Sequence, residues 1–334
     1  MRPVAIARTA AVSAFGAGAR GLGRALADGA LLPGLPSETP LASPRSRKMM
    51  SPAAYLAARC LADLLRDAAW TDARDRIAYY LAVGASAGSL DDFMALLDES
   101  LVDGAYSLER FGHRGLAACN PLLAFQLMNN FTLCHGAILE GLGGPNSALF
   151  SRGAGTITAL GEAVYAVASG ECDRAISGGA DAPTHPATAA ELGRDGLIGR
   201  GLVPADAAGL LALEVARPGD IVVEGCGVAS GRGRPIAEAI AHSVAAARLS
   251  ETVDLVVIAP WGPPAADALR SWAAALHPTA NVVSTAALGE SLAASAALAV
   301  IAAADLLEPA QRALVLSLGV DGDPGAVAIA RGAA

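Results

Sequence analysis

Aromatic side chains are scarce in this sequence. Phe, Trp and Tyr make up only 4% of the 334 residues, although 53% of the residues are hydrophobic. Alanine, glycine, valine and leucine must therefore fill the interior, which predicts helices and sheets packed closely through small side chains. A chain of this length can build one large core or two fused cores.

A long basic run is also missing. The formal net charge is -8, so nucleic acid is not an expected partner. One short basic cluster, formed by Arg45, Arg47 and Lys48, lies in a segment rich in proline and serine. We interpret it as a solvated loop, because exposed charge is the ordinary case.

Cysteine patterns for a metal site or a disulfide framework are absent. The five cysteines have no CxxC spacing, so no metal is expected, and reduced thiols in the cytoplasm are predicted; they are Cys60, Cys119, Cys134, Cys172 and Cys226. The first residues show no secretory signal pattern. The most apolar stretch, 292–307, is short for a membrane span and contains Asp305, which favours a fully buried helix.

Short apolar or β-branched runs alternate with helical patterns along the whole chain, which indicates an α/β layered protein. Strands are predicted at 4–6, 77–84, 148–150, 174–178, 210–215, 221–228, 255–259, 282–285, 313–317 and 326–330. Helices are predicted at 19–27, 52–69, 90–97, 156–168, 236–248, 265–276 and 291–307. The rhythm repeats after the turn at Pro218, so we predict two similar halves, 1–217 and 218–334.

Three segments carry a more specific signal. Residues 143–159 read GGPNSALFSRGAGTITA, residues 169–181 read SGECDRAISGGAD, and residues 254–259 read DLVVIA. They resemble the nucleophile turn, the stretch after the nucleophile helix and a later strand of the β-ketoacyl synthases, the condensing enzymes of fatty-acid and polyketide synthesis. The resemblance covers nearly the whole chain. It implies a thiolase-like αβαβα fold of five layers, with two central helices at 156–168 and 291–307.

The resemblance also shows which catalytic residues are missing. The family's cysteine position falls on Gly153, its two histidine positions on Pro260 and Glu290, and its lysine position on Ala286. A glycine cannot form the acyl-enzyme, and proline offers no hydrogen-bond donor. We expect Glu290 to be a carboxylate stabilised by a helix N-terminus, which would repel an enolate. Condensing activity by this chain alone is therefore not expected.

The turn Gly153-Ala154-Gly155 resembles the Gln-Ala-Gly-Gly of chain-length factors, the non-condensing partner subunits of type II polyketide synthases. This implies a heterodimer with an active ketosynthase, contact with acyl carrier protein through that complex, and an acyl tunnel at the interface. Large apolar residues before His135 are candidates for setting tunnel depth, although core packing explains each equally well. They are Phe111, Phe125, Met128 and Phe131.

A divergent acyltransferase of the same fold, using unrecognised residues on acyl-carrier-protein or coenzyme-A thioesters, is the main alternative. Cys134 beside His135 is interpreted as a small buried hydrophobe. Ser151 could accept an acyl group, but no base is visible nearby. The remaining histidines have no metal spacing; they are His113, His185, His242 and His277.

A dinucleotide-binding enzyme is a third possibility. Residues 16–21, GAGARG, match GxGxxG after an apolar run. The segment 33–44 is rich in proline where the next strand of a βαβ unit would follow, so this interpretation is disfavoured and no cofactor is expected.

Overall fold

The computed structural model describes residues 2–13, 15–17, 19–30, 44–85, 87–249 and 252–333. The strands, in chain order, are β1 (Val4–Ser13), β2 (Gly16–Ala17), β3 (Ala78–Val83), β4 (Leu101–Val102), β5 (Ala105–Tyr106), β6 (Asn146–Phe150), β7 (Arg174–Asp181), β8 (Ala207–Val215), β9 (Ile221–Val228), β10 (Leu255–Pro260), β11 (Asn281–Ser284), β12 (Arg312–Leu318) and β13 (Pro324–Arg331).

The helices are α1 (Leu22–Ala27), α2 (Pro52–Ala68), α3 (Leu90–Ser100), α4 (Leu108–Arg110), α5 (Leu116–Ala118), α6 (Leu123–Leu127), α7 (Phe131–Glu140), α8 (Gly155–Ser169), α9 (Pro186–Arg194), α10 (Ile236–Ala246), α11 (Pro263–Leu276) and α12 (Ser295–Leu306). Short 3-10 turns include Pro44–Met49, Thr285–Leu288 and Leu292–Ala294. A single π-helical turn, Phe111–Gly115, joins α4 to α5.

Two sheets of the same topology form the framework. The first has the strand order β1-β8-β7-β3-β6, and the second has the order β9-β13-β12-β10-β11. In each sheet the last two pairings are parallel and the first two are antiparallel. Among the described residues, the pairing of Ala5 in β1 with Val222 in β9 joins the two halves into one continuous sheet. The repeat seen in the sequence is therefore a repeat of strand order and of strand direction.

Helices cover the sheets in layers. Helices α2 and α7 lie on the outer face of the first sheet, α8 and α12 lie between the sheets, and α10 and α11 lie outside the second sheet. Helix α12 is apolar on every side and almost fully buried. The predicted five-layer thiolase-like fold with two central helices is confirmed.

Small residues allow this close layering. A Cβ added to Gly209 of β8 would lie 3.0 Å from the Cβ of Ala297 in α12, so the sheet and the central helix approach as near as their backbones permit. The deficit of aromatic residues follows from this spacing, because a large ring does not fit between layers that are so close.

All of the predicted strands and long helices are present, and their ends differ from the predictions by a few residues. The exception is β1, which continues from Val4 to Ser13 because both of its faces are largely covered. Helices α7 and α9 were not predicted: α7 begins beside polar asparagines, and α9 carries few apolar residues on which periodicity could be detected.

The basic cluster at Arg45, Arg47 and Lys48 is an ordered 3-10 turn and not an irregular loop. The Arg47 guanidinium lies 4.3 Å above the centre of the Tyr55 ring, which fixes the turn against α2 through a cation–π contact. The segment 31–43, which contains most of the Pro-rich stretch, lies outside the described residues.

The dinucleotide-binding interpretation of residues 16–21 does not fit the structure. Gly16 and Ala17 turn back and pair antiparallel with the end of β1, so no crossover to a parallel strand follows. The Asp305 carboxylate accepts hydrogen bonds from the N–H groups of Gly21 (3.0 Å) and Gly23 (3.1 Å) at the start of α1. The donors that a phosphate would need are therefore already occupied.

Across the ranges that the structure describes, no helix has both the length and the apolar character required to cross a bilayer.

Candidate functional site

Gly153 lies in the turn between β6 and α8, where the sequence places the lost nucleophile. It is buried, and a Cβ built on it would lie 2.8 Å from the Cα of Gly319 in the loop after β12. Such a distance is shorter than real Cβ contacts, and the obstacle is backbone. The position therefore has no space for a cysteine side chain unless that loop moves.

Ser151 lies in the same turn, and its side chain binds backbone amides there. Its Oγ accepts hydrogen bonds from the N–H of Gly153 at 3.2 Å and the N–H of Gly155 at 3.1 Å. These amides at the start of α8 are the donors on which a helix N-terminus could stabilise an oxyanion. The serine hydroxyl occupies that place, so it acts as a cap of α8 and is poorly placed to accept an acyl group.

The three other substituted positions line one cavity of about 290 Å³. Pro260 ends β10, Ala286 lies in a 3-10 turn, and Glu290 precedes α12; Trp261 and Arg270 complete the wall. Pro260 pairs with Leu318, the residue before Gly319, so this cavity and the Gly153 turn lie at the same end of the central layer. The structure thus brings Pro260, Ala286 and Glu290 together in one cavity and places the Gly153 turn at the same end of the layer. The cavity lining contains neither an imidazole nor a lysine.

Glu290 is almost completely buried, and Asp181 at the end of β7 is its buried neighbour. The Asp181 carboxyl accepts hydrogen bonds from the N–H groups of Ala182 (2.8 Å) and Ala293 (3.4 Å). The Oε1 atom of Glu290 is buried without a hydrogen-bond partner among the described residues. The amide of Ala293, just before α12, therefore binds Asp181 from the other half of the chain, while Glu290 is buried nearby with one oxygen unsatisfied.

Burial raises the pKa of both carboxyl groups. The pKa of Asp181 rises to about 7, and that of Glu290 to about 8, mainly because desolvation disfavours the charged form. Smaller contributions in the same direction come from Asp206 at Asp181 and from Asp181 at Glu290. The expected ionised Glu290 is therefore wrong: at neutral pH it is largely a neutral acid. The helix N-terminus favours a carboxylate, but loss of hydration outweighs it.

Asp181 was missed in the sequence analysis. Its signal is the end of the buried segment SGGAD, in which a carboxylate is the last residue of a strand whose residues are almost all inaccessible. A charged residue in such a place is rare unless it is paired or protonated.

The proposed tunnel residues do not form a single group. The Phe125 and Phe131 rings meet edge to face at 5.2 Å, and the Phe131 ring lies 5.2 Å from that of His135. Met128 joins them, because its carbonyl accepts the Phe131 N–H at 3.0 Å. Phe111 packs against Tyr106 at 6.1 Å instead. The first three could therefore act together, whereas Phe111 belongs to a different contact group.

Cys134 and His135 do not form a catalytic pair. Burial raises the pKa of the Cys134 thiol and lowers the pKa of His135. The His135 Nε2–H donates to the Met49 carbonyl at 3.0 Å. Adjacent positions of a helix do not face each other, so the His135 ring is not directed at the Cys134 thiol.

The remaining histidines lie away from the cavity. His185 begins α9 and bonds to the Gly88 carbonyl, His242 bonds to Arg234, and His277 stacks near Trp272. His113 lies on the exposed π-helical turn. Within the described ranges, no group of three or more His, Cys, Asp or Glu side chains could hold a metal ion.

Comparison with models of protein families identifies the family of this chain. The family model of the β-ketoacyl synthase N-terminal domain matches residues 33–230, more than half of the chain. The chain belongs to the β-ketoacyl synthase family. A comparison with curated proteins gave no match.

Solved structures share the fold of this β-ketoacyl synthase family member over its whole length. The ishigamide ketosynthase/chain length factor has a TM-score of 0.78 and 20% identity, with 99% of both chains covered. A β-ketoacyl synthase from Burkholderia phymatum STM815 has a TM-score of 0.73 and 18% identity, covering 99% of this chain and 100% of its own. AntDE:AntF, a type II PKS acyl-carrier protein in complex with its ketosynthase, has a TM-score of 0.72 and 13% identity. The match covers 99% of this chain and 100% of its own.

Replacement of Gly153 by cysteine is expected to destabilise the chain without restoring a reactive thiol. The new Cβ meets the Gly319 backbone, so we expect a loss of about 1–3 kcal/mol, typical of overpacking. Urea unfolding and alkylation kinetics measure the two effects. Gly193→Cys on α9 is the control, because a Cβ at this exposed position meets only the Ile198 side chain, at 3.8 Å. Rapid alkylation of the Gly153→Cys thiol in a chain of unchanged stability would contradict the closed turn.

The buried carboxyl pair predicts that stability falls as the pH rises from about 4 to about 8. The native state keeps protons that the unfolded chain releases near pH 4, so the unfolding free energy declines by about 1.4 kcal/mol per pH unit for each carboxyl in that window. Glu290→Gln should flatten this slope in urea unfolding, because glutamine has no proton to lose. Asp267→Asn, an exposed residue of the same cavity, is the control. Parallel curves for wild type and Glu290→Gln would refute the assignment.

Proposed function

We propose that this chain is a non-condensing ketosynthase-like subunit that pairs with an active β-ketoacyl-acyl-carrier-protein synthase and shapes the acyl tunnel of the pair. The closure of the Gly153 turn by Gly319 and Ser151 carries the proposal. The rest of the fold is retained, so the loss is local to the nucleophile pocket. A scaffold that keeps its layers but excludes the acyl-enzyme can still serve a partner.

The edge strand β6 offers the first part of a partner surface. It pairs with β3 on one side and is the last strand of its sheet, so the other edge of its backbone is available for hydrogen bonding. Its final residue, Phe150, is 59% exposed. An open edge that carries an exposed aromatic residue invites strand addition from another chain.

The outer flank of α8 lies beside this edge. Thr158, Glu162 and Tyr165 follow one another at helical spacing, and all three are exposed although α8 belongs to the central layer. A central helix with an open flank is unusual in a layered fold, because each layer normally covers the next. A second subunit on β6 would cover this flank as well.

Exposed apolar residues are concentrated in the segment before and within β6. Most of the large apolar side chains that are exposed among the described residues fall between positions 90 and 150. Met94, Leu108, Met128 and Ile138 are examples. Such concentration on one part of a chain marks a protein contact. Phe125, Met128 and Phe131 lie in this segment, and we propose that they limit the length of the acyl chain that the partner holds.

The names of the structural relatives are consistent with this role. One is a ketosynthase/chain length factor, and another is an acyl-carrier protein in complex with its ketosynthase. By analogy, the partner would be a ketosynthase that retains Cys-His-His, and acyl carrier protein would bind the pair. The net charge of -8 gives this chain no general attraction for an acidic carrier, which favours docking mainly on the partner.

The alternative, a divergent acyltransferase, has less support. Neither candidate acceptor is set up as a nucleophile: the Ser151 hydroxyl binds the amides at the start of α8, and Cys134 has a pKa raised by burial and lies on a different helical face from His135. An acyl-enzyme would require a nucleophile activated by a base or by a lowered pKa.

Assembly can be tested by co-expressing the chain with a type II ketosynthase that retains Cys-His-His. We expect the two to co-purify as a 1:1 complex, and Phe150→Arg to weaken association at least tenfold by placing a charge in the apolar contact. Leu276→Arg, an exposed apolar position on the outer helix α11, is the matched control and should have no effect. A stable homodimer of this chain that accepts an acyl group from acyl-carrier-protein thioesters would sink the proposal.

Tunnel depth can be tested in the same pair. Phe131→Ala removes the ring that Phe125 contacts, so we expect carrier-bound products to be longer by one or more extension units, as measured by mass spectrometry. Leu276→Ala serves as a truncation outside the segment and should leave the products unchanged. Unchanged product length with Phe131→Ala would exclude its role.

A further inference from the structure

Arg152 stands directly between Ser151 and Gly153, and its side chain is only 24% exposed. Its Nη1 lies 3.2 Å from Oε1 of Glu191 and 4.0 Å from Oδ2 of Asp195, and its Nε lies 3.4 Å from Oδ1 of Asp321. One guanidinium group is therefore surrounded by three carboxylates that come from two separate parts of the chain.

The three carboxylates belong to two segments of the chain, the end of α9 and the loop 319–323. Glu191 is on α9 and Asp195 directly follows it, while Asp321 belongs to the loop 319–323 between β12 and β13. Asp321 is held twice, because its Oδ2 also accepts the backbone N–H of Arg152 at 3.1 Å. The same loop contains Gly319, whose backbone closes the space at Gly153.

The charges explain why Arg152 is needed in this arrangement. Without its guanidinium, Asp321 would approach Glu191 and Asp195 with only Arg194 to offset them. Arg194 lies 3.1 Å from Asp195 and 3.9 Å from Glu191, but it is 73% exposed and makes no ion pair with Asp321. Removal of Arg152 therefore changes an attraction on the loop into a repulsion.

We propose that Arg152 is an electrostatic clamp that holds the loop 319–323 shut over Gly153 and so keeps acyl thioesters out of this subunit's own pocket. This rests on the proposed non-condensing role and adds to it the way in which the pocket is kept closed. In the assembled pair, the acyl chain then has one receiving pocket, that of the partner. The clamp is a positioning device, because Arg152 acts through the loop.

Amide hydrogen exchange of the co-purified complex tests the clamp. Arg152→Gln keeps the length of the side chain but removes its charge, and Asp321→Asn keeps an acceptor for the Arg152 N–H. We expect either change to speed exchange of the 319–323 amides about tenfold, since local opening is governed by the contacts that hold a segment. Arg194→Gln loses a charge beside Glu191 and Asp195 without touching the loop, and should change exchange there less than twofold.

A double-mutant cycle with Gly153→Ala gives a readout that a general loss of stability would not produce. If the loop is released, the added methyl group no longer meets a fixed Gly319 backbone, so its effect on the unfolding equilibrium should shrink at least threefold in the Arg152→Gln background. Additive effects, or equal exchange in the Arg152→Gln and Arg194→Gln proteins, would overturn the clamp.

The test of the clamp remains decisive if one variant does not fold, and its failure is distinguishable from failure of the proposed function. If Arg152→Gln does not fold, Asp321→Asn alone carries the comparison, because it changes only the loop residue. Loss of co-purification of the wild-type chain with its ketosynthase counts against the proposed function, whereas unchanged loop exchange in a stable complex counts only against the clamp.

Discussion

The approach of two backbones at Gly153 and Gly319 is the contact around which the candidate site is organised. It joins the turn before one central helix to the loop after β12, and so it ties the two similar halves at the end where a catalytic pocket would open. Backbone contacts of this kind tolerate no side chain, because the obstacle cannot rotate away. Glycine at both positions is therefore a steric requirement of the closed state as well as a loss of chemistry.

Close approach of neighbouring layers is also required in the rest of the fold. Helix α12 is buried on all sides, and β8 presents Gly209 to it, so the central layer is packed through small groups. Two polar side chains, Asp181 and Glu290, are buried within this apolar packing near the start of α12. Backbone amides bind Asp181, and burial favours the protonated form of both carboxyl groups.

The alternation of α and β segments and the two similar halves could be predicted from apolar periodicity, because periodicity is a local property of the sequence. The layer order and the positions of Gly153, Pro260, Ala286 and Glu290 were predicted from the resemblance to the β-ketoacyl synthases. The protonation of Glu290 could not be predicted, because it depends on burial by residues distant in the chain. The separation of Phe111 from Phe125 and Phe131 was hidden for the same reason. The division at residue 217 falls in the turn between β8 and β9, and as a division into domains it stays a prediction.

The unpaired edge of β6 makes the isolated chain susceptible to aggregation. Unpaired strand edges next to apolar surface are templates for indiscriminate strand addition, and small edge strands of natural proteins usually carry charges or bulges that prevent it. The described residues of β6, Asn-Ser-Ala-Leu-Phe, carry no charge. The isolated chain would therefore be prone to self-association through the edge of β6.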